Sequence, residues 1–431
     1  MHIFFSGIGG TAIGPLAIIA KQAGHDVSGS DKQDSQYIEY LKKRGITKIN
    51  IGQDKKQIAR VHNAKPIDWY VYSSAVAIEN PKAPELQFVR ENQIKHTKRD
   101  DLLNFILQEK NLKLIAIAGT HGKTTTTAMV IWLFKKLKIP ISYSVGAKIP
   151  FGDMGHYQAG SEYFVYEADE FDRNFLSFTP DISLITGVTW DHHEIFPTRE
   201  DYQMAFQEFI DQSRHSLVWR KDANYLNLDN TTRIEVLDIN NQKIHEISLD
   251  GYYNRLDAWL AIQAIHSTIG EPLKELIILM GHFPGLQRRM EQILPNLYSD
   301  YAHTPEKIRG GLSVALDMTE NKNQPIIIVY EPLTNRRQHF MMKDYRDCFA
   351  GADKVYWTPS YLAREDPTLR IIPPEELISY LDNPSIAVPA KLDNKLKNNI
   401  KKHLKSGAMV VCMAGGGGGS LDEWIRKEFA V

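Results

Sequence analysis

The sequence predicts an α/β protein of three domains, spanning residues 1–98, 99–295 and 296–431. Three observations carry that prediction. The apolar run Leu114 to Ala118 reads as a buried parallel strand that turns through Gly119 and Gly122 into an apolar helical pattern from Ala128 to Phe134. The amino terminus shows the same order, with a strand over 2–6, a glycine turn over 7–14, a helix through Leu16 to Ala20 and a second strand near Asp26 to Ser30. After Pro295 the alternation restarts with a strand over 297–300 and a helix from Glu306 to Leu316.

Composition narrows the class. At 431 residues with 43% hydrophobic content, the chain can build more than one core. Lys and Arg total 51 against 52 Asp and Glu, a net charge of -1, which points to no nucleic-acid partner and no membrane insertion. Cys348 and Cys412 cannot make a disulfide framework, and each lies in an apolar segment. Met1-His2-Ile3-Phe4-Phe5 runs straight into glycines instead of a signal peptide, so a cytoplasmic location is expected.

In the first domain, Gly7, Gly9 and Ala12 fill a G-x-G-x-x-G/A fingerprint, Gly10 lies within it, and Asp31 follows the second strand at about twenty residues. That pattern places a nucleotide diphosphate on a helix terminus, on a Rossmann-like unit. It does not specify a nicotinamide. A later strand over 69–72 ends in Ser73 and Ser74, whose hydroxyls are expected at the ligand crevice. Residues 95–113 then read as a connection, with the amphipathic 101–107 a packed helix carrying no chemistry of its own.

The second domain holds the phosphate loop Gly119-Thr120-His121-Gly122-Lys123-Thr124-Thr125. Backbone N–H groups and a helix terminus face an anion there, Lys123 can span β- and γ-phosphates, and the Thr124 hydroxyl can ligate Mg²⁺. ATP is therefore expected. The loop is a shortened variant, since Ile117 stands where the strict pattern has its first glycine. The strand over 163–166 delivers Glu167, Asp169, Glu170 and Asp172, four acids in six residues that suit a cation beside phosphate. The strand over 182–186 leads to Asp191-His192-His193-Glu194, from which His192 could reach a second cation. Helices are expected over 199–214 and 253–269, and Arg288 and Arg289 follow a Pro-Gly turn suited to phosphate.

In the third domain, strands over 325–330, 354–357 and 408–413 are expected, with a helix near 342–350 and another over 420–429. The run Gly415 to Gly419 falls at a strand-to-helix turn, where close backbone approach to a ligand and a flexible joint are both open.

Taken in order, the 119–125 loop, Glu167-Ala168-Asp169-Glu170, Asp191-His192, the 283–291 turn and Asp300-Tyr301-Ala302-His303-Thr304-Pro305 resemble the Mur ligase family, ATP-dependent amide-forming enzymes of peptidoglycan assembly. The amino-terminal glycines with Asp31 resemble the branch acting on UDP-N-acetylmuramate, in which the first domain holds the UDP portion. The resemblance implies ligation through an acyl phosphate. Lys123 and Thr124 would handle the β/γ-phosphates and a first Mg²⁺, and Glu167 and His192 would help hold a second. Asn254, Arg288 and Asp300 would complete the ATP site; Gly7, Gly9, Gly10, Asp31, Ser73 and Ser74 would hold the UDP-sugar. His303, Asn335, Arg336 and Arg337 would meet the acceptor, and Asp191, His193 and Glu170 are candidate bases.

Two departures stand out. Tyr253-Asn254-Arg255-Leu256-Asp257 replaces the family's His-Asn-x-x-Asn, and Glu331-Pro332-Leu333-Thr334-Asn335 is closer to a tripeptide-adding relative than to alanine-adding ones. The expected acceptor is L-alanine, with L-alanyl-γ-D-glutamyl-meso-diaminopimelate as the alternative. An NAD-linked dehydrogenase with an appended ATPase and an ATP-regulated, non-catalytic binding protein are the rival classes.

Overall fold

The structure, a computed structural model, describes residues 1–72, 83–192, 195–319, 323–362 and 365–429, so Ser73, Ser74 and His193 lie outside the described residues. Three sheets form. The first is wholly parallel, in the order β3-β2-β1-β4-β5, from β1 (His2–Ser6), β2 (Asp26–Asp31), β3 (Ile49–Ile51), β4 (Trp69–Tyr72) and β5 (Lys95–Lys98). Its central strand β1 is buried at every position, matching the apolar reading of 2–6. The polar edge strand β5, Lys-His-Thr-Lys, replaces part of the connection expected over 95–113; pairing on one side only asks little apolar character of it.

The second sheet runs β12-β11-β10-β6-β9-β7-β8. It consists of β6 (Lys113–Ala118), β7 (Ile141–Ser144), β8 (Gly155–His156), β9 (Tyr163–Glu167), β10 (Ile182–Ile185), β11 (His215–Trp219) and β12 (Ile234–Leu237), with only β8 antiparallel to its neighbour. Because β6 lies between β9 and β10, the loop after it and the acids after β9 emerge at the same sheet edge. The helix Arg99–Glu109 joins the first two sheets into one core: its Leu102, Leu103, Ile106 and Leu107 pack in a cluster with Ile3 and Val71 on one side and Leu114 and Ala116 on the other.

The third sheet, β13-β14-β18-β15-β16-β17, is formed by β13 (Glu291–Leu294), β14 (Leu297–Asp300), β15 (Ile326–Glu331), β16 (Lys354–Trp357), β17 (Ala387–Pro389) and β18 (Met409–Ala414). Only the β13–β14 hairpin is antiparallel. Alternate residues serve opposite faces: Ile326, Ile328, Tyr330, Met409, Val411 and Met413 line one core, and Ile327, Val329, Val410, Cys412 and Ala414 the other. The helix expected near 342–350 begins earlier, as Asn335–Met341 followed by a 3-10 turn Met342–Tyr345.

The chain divides into two compact units, Met1–Glu246 with Asp257–Phe283, and Ile247–Leu256 with Pro284–Val431. No described helix is long and apolar enough to cross a membrane.

Candidate active site

In the first unit, the phosphate loop leaves β6 and ends at Gly122, whose φ of 76° opens the helix Lys123–Lys136. A Cβ there would stand 2.5 Å from an Asp257 carboxylate oxygen, so both conformation and space demand glycine. Thr120 anchors the loop: its hydroxyl donates to the Thr189 carbonyl at 2.7 Å and pairs with the Tyr202 hydroxyl at 2.8 Å. The His121 carbonyl accepts the Thr186 hydroxyl, and Thr125 is buried in the first helical turn. Thr120, His121, Gly122 and Thr125 therefore shape the turn, which leaves Lys123 and Thr124 as its chemical groups.

Each has a carboxylate partner. Lys123 Nζ donates to Glu170 at 2.7 Å and to the Gly119 carbonyl at 2.5 Å. The Thr124 hydroxyl donates to Glu167 Oε1 at 2.7 Å, and the Gly146 amide to Glu167 Oε2 at 2.6 Å. His192 Nε2 stands 3.6 Å from Glu170 whereas Glu167 accepts from Thr124, so the two expected metal ligands Glu167 and His192 have different partners. His192 has a φ of 54°, a strained conformation held where its carbonyl accepts the Ile195 and Phe196 amides.

These contacts separate the two glutamates electrostatically. Burial pushes the Glu167 carboxyl up, against the Thr124 hydroxyl, the Gly146 amide and Lys123. Burial also acts on Glu170, but Lys123 and His192 outweigh it and bring the group down to about 2. Before nucleotide binds, Glu170 is thus the counter-ion of Lys123 and, at about 2, a poor proton acceptor. Lys123 is held charged despite burial by Glu170, Asp169 and Glu167.

A cavity of about 190 Å³ opens beside these groups. Lys123, Glu167, Asp169 and Gly146 line one part of it, and Thr11 and Ala12, at the start of the helix Ile13–Gln22, another. That helix has no side-chain cap, but the Gly14 amide already donates to the Gly10 carbonyl and Pro15 has no N–H, so what its start offers an anion is the amides of Thr11, Ala12 and Ile13. The glycine turn before it is occupied by its own chain. The Gly7 and Ile8 amides donate to the Ser30 carbonyl, Gly10 to Gly7, and Gly9 to Asp31 at 2.8 Å. Asp31 therefore braces the turn, and the open amides begin after it.

Arg99 and Asp100 also face the cavity, so the helix expected to carry no chemistry contributes two charged groups to it. Sequence reasoning missed them because Arg-Asp-Asp at a helix start resembles an ordinary solvated first turn. Burial raises Asp100 to about 6, against Arg99 and Lys98.

In the second unit, Asn254 donates to the Asp250 carbonyl at 2.8 Å. Arg288 stacks over Tyr301 at 4.7 Å and donates to the Ala414 carbonyl at 2.8 Å, holding the glycine run of its own unit. Asp300 accepts the Met290 and Ala302 amides, both at 2.8 Å, and so clamps two turns together. His303 packs against Gly415 and bonds the Tyr301 carbonyl; burial, Lys307 and Arg337 keep its imidazole neutral. The ring of Tyr361 lies so close to Gly416 that a Cβ there would meet it at 2.8 Å, which favours close packing as the reason for that glycine.

Asn335, Arg336 and Arg337 are helical, not loop, residues, because Glu365 accepts the Asn335 and Arg336 amides at 3.0 and 2.9 Å and caps the turn. The Asn335 side chain is consumed by the Arg370 carbonyl and the Ile372 amide. At the end of β15, Glu331 accepts the Leu421 amide at 3.1 and 3.2 Å, and burial raises it to about 7 against that amide and Arg288.

No group of three or more His, Cys, Asp or Glu side chains able to hold a metal occurs among the described residues. Thr124 and Glu167 nevertheless put two hard oxygens side by side, a fit to an ion that takes its remaining ligands from phosphate and water.

Residues 2–111 match the Mur ligase family catalytic domain, and residues 117–266 the Mur ligase middle domain. The UDP-N-acetylmuramate–L-alanine ligase of Clostridium botulinum strain Hall is 30% identical over 96% of this chain and 95% of its own. That of Lactobacillus helveticus is 29% identical over 89% and 92%. Among solved structures, UDP-N-acetylmuramate-alanine ligase from Thermotoga maritima aligns over 99% of this chain and 98% of its own, with TM-score 0.75 and 23% identity. A murein peptide ligase from Psychrobacter arcticus 273-4 aligns over 100% and 99%, with TM-score 0.63 and 21% identity. With Lys123, Glu167, Asp169 and the start of the helix Ile13–Gln22 around one cavity, and with relatives matched along nearly their full lengths, the chain belongs to the Mur ligase family of ATP-dependent ligases.

Proposed function

We propose that this protein joins the lactyl carboxylate of UDP-N-acetylmuramate to the amino group of L-alanine, using ATP. The observation that carries the reading is the cavity shared by Lys123, Glu167 and the helix start at Thr11 and Ala12. The diphosphate of the sugar nucleotide suits the helix start, and the γ-phosphate of ATP suits Lys123. The carboxylate attacks the γ-phosphorus with loss of ADP, and the amine then displaces phosphate from the acyl phosphate. The barrier is electrostatic, since an anion approaches a polyanion. Lys123, kept charged by Glu170, Asp169 and Glu167, supplies positive charge at the transferred phosphoryl group. Thr124 and Glu167 would hold Mg²⁺, which when bound neutralises phosphate charge.

Alanine is favoured by the names of the relatives at about 30% identity. The tripeptide L-alanyl-γ-D-glutamyl-meso-diaminopimelate is the second reading, favoured by Glu331-Pro332-Leu333-Thr334-Asn335. An acceptor panel containing both, with the mass of the UDP-linked product measured, separates them. Product with alanine alone supports the first; product with the tripeptide alone replaces it. Tight NAD binding without phosphate release in the presence of UDP-sugar, ATP and any amine would overturn both.

A further inference from the structure

Arg99 is the first residue of the helix Arg99–Glu109, and four leucine and isoleucine side chains of that helix lock its root into the core. Its side chain is only 15% exposed. Its nearest carboxylate oxygens are 3.4 Å away on Asp100 and 3.7 Å away on Asp169. Asp100 Oδ1 is itself buried without a hydrogen bond. A guanidinium carries five N–H donors in a planar fork, more than carboxylate contacts at 3.4 and 3.7 Å occupy. Two acids thus hold the charge in place and leave part of the fork for a ligand.

Arg99 lines the same cavity as the two candidate anion sites. Thr11 and Ala12 of the one, and Lys123 and Glu167 of the other, line it too. Lys123 is committed to Glu170 at 2.7 Å in the phosphate loop. The neighbouring turn is fastened separately, by Lys98 to Asp172 at 2.5 Å, so Arg99 is not needed to tie the helix down.

We propose that Arg99 binds the lactyl carboxylate of the donor sugar and aims it at the phosphoryl group. This rests on the reading of the protein as a ligase of UDP-N-acetylmuramate. A planar carboxylate matches a planar fork through two parallel hydrogen bonds, whereas the diphosphate and the triphosphate already have a helix start and a lysine loop. The pairing also offsets the repulsion between that carboxylate and the γ-phosphate.

The test compares two probes that differ by the lactyl group, UDP-N-acetylmuramate and UDP-N-acetylglucosamine, by calorimetric titration of the full chain. Arg99→Met is expected to weaken the first by about thirtyfold, the size of a lost charged hydrogen-bond pair, and the second by less than about threefold. ATP affinity is expected to stay within about twofold of wild type. Arg99→Lys, which keeps the charge and loses the fork, is expected to show the same sugar selectivity of loss at smaller size, and serves if the methionine variant does not fold. Equal loss for both sugars would put Arg99 on the diphosphate, and parallel loss of ATP binding would make it structural; either overturns the proposal, as does unchanged binding. If the wild type itself binds neither sugar nucleotide, the ligase reading fails and takes the proposal with it.

Discussion

Replacing Glu170 by Gln tests how the phosphate loop is held before nucleotide arrives. Glu170 is 1% exposed, accepts Lys123 at 2.7 Å and faces His192 at 3.6 Å. Its carboxyl lies at about 2 in the fold against an ordinary 4.5, because Lys123 and His192 overcome the effect of burial. That gap corresponds to about 3 kcal/mol of stability. The sign follows from the depressed value: the contribution is complete above pH 4.5 and is lost as pH falls towards 2. Glutamine keeps an acceptor and removes the charge. Urea unfolding at pH 7 is expected to show a deficit of about 3 kcal/mol that shrinks progressively with acidification. Phosphate can replace Glu170 as the counter-ion of Lys123, so ATP is expected to bind the variant about tenfold more tightly than wild type. Wild-type stability at pH 7, or a deficit unchanged between pH 7 and pH 3, would refute this account of the loop.

Two further outcomes follow from the second unit. Asn335→Ala leaves the Arg370 carbonyl and the buried Ile372 amide unpaired, and is expected to cost about 2–4 kcal/mol in urea unfolding; full stability with a raised acceptor KM would place Asn335 on the acceptor instead. Glu331, raised by burial to about 7, binds its proton more tightly in the fold, so its contribution is complete below pH 4.5 and is lost as pH rises through 7. Glu331→Gln is therefore expected to flatten a fall of about 3 kcal/mol between pH 5 and pH 8, measured by thermal melts; an identical slope in the variant would remove Glu331 as its cause.

Local pattern was enough to read the strands that matter most. Buried parallel strands must be apolar throughout, so β1, β6, β9, β15 and β18 stand out in the chain, and the turns after them carry the chemistry. Edge strands escaped because they face a partner on one side only. Lys-His-Thr-Lys in β5 reads as a loop until β4 is seen beside it.

The sequence by itself determined that α/β folding would present a lysine-bearing phosphate loop, a cluster of acids and a second glycine turn, since spacing along the chain encodes strand, turn and helix. Which acid meets which base was decided only by the tertiary structure. Glu170, not Glu167, takes Lys123; Asp31 and Asn335 spend their side chains on their own backbone; and Arg99 comes to the cavity from a helix start that looked like solvated surface. The reason is physical: pairing depends on distances of a few ångströms between residues tens of positions apart, and sheet order sets those distances.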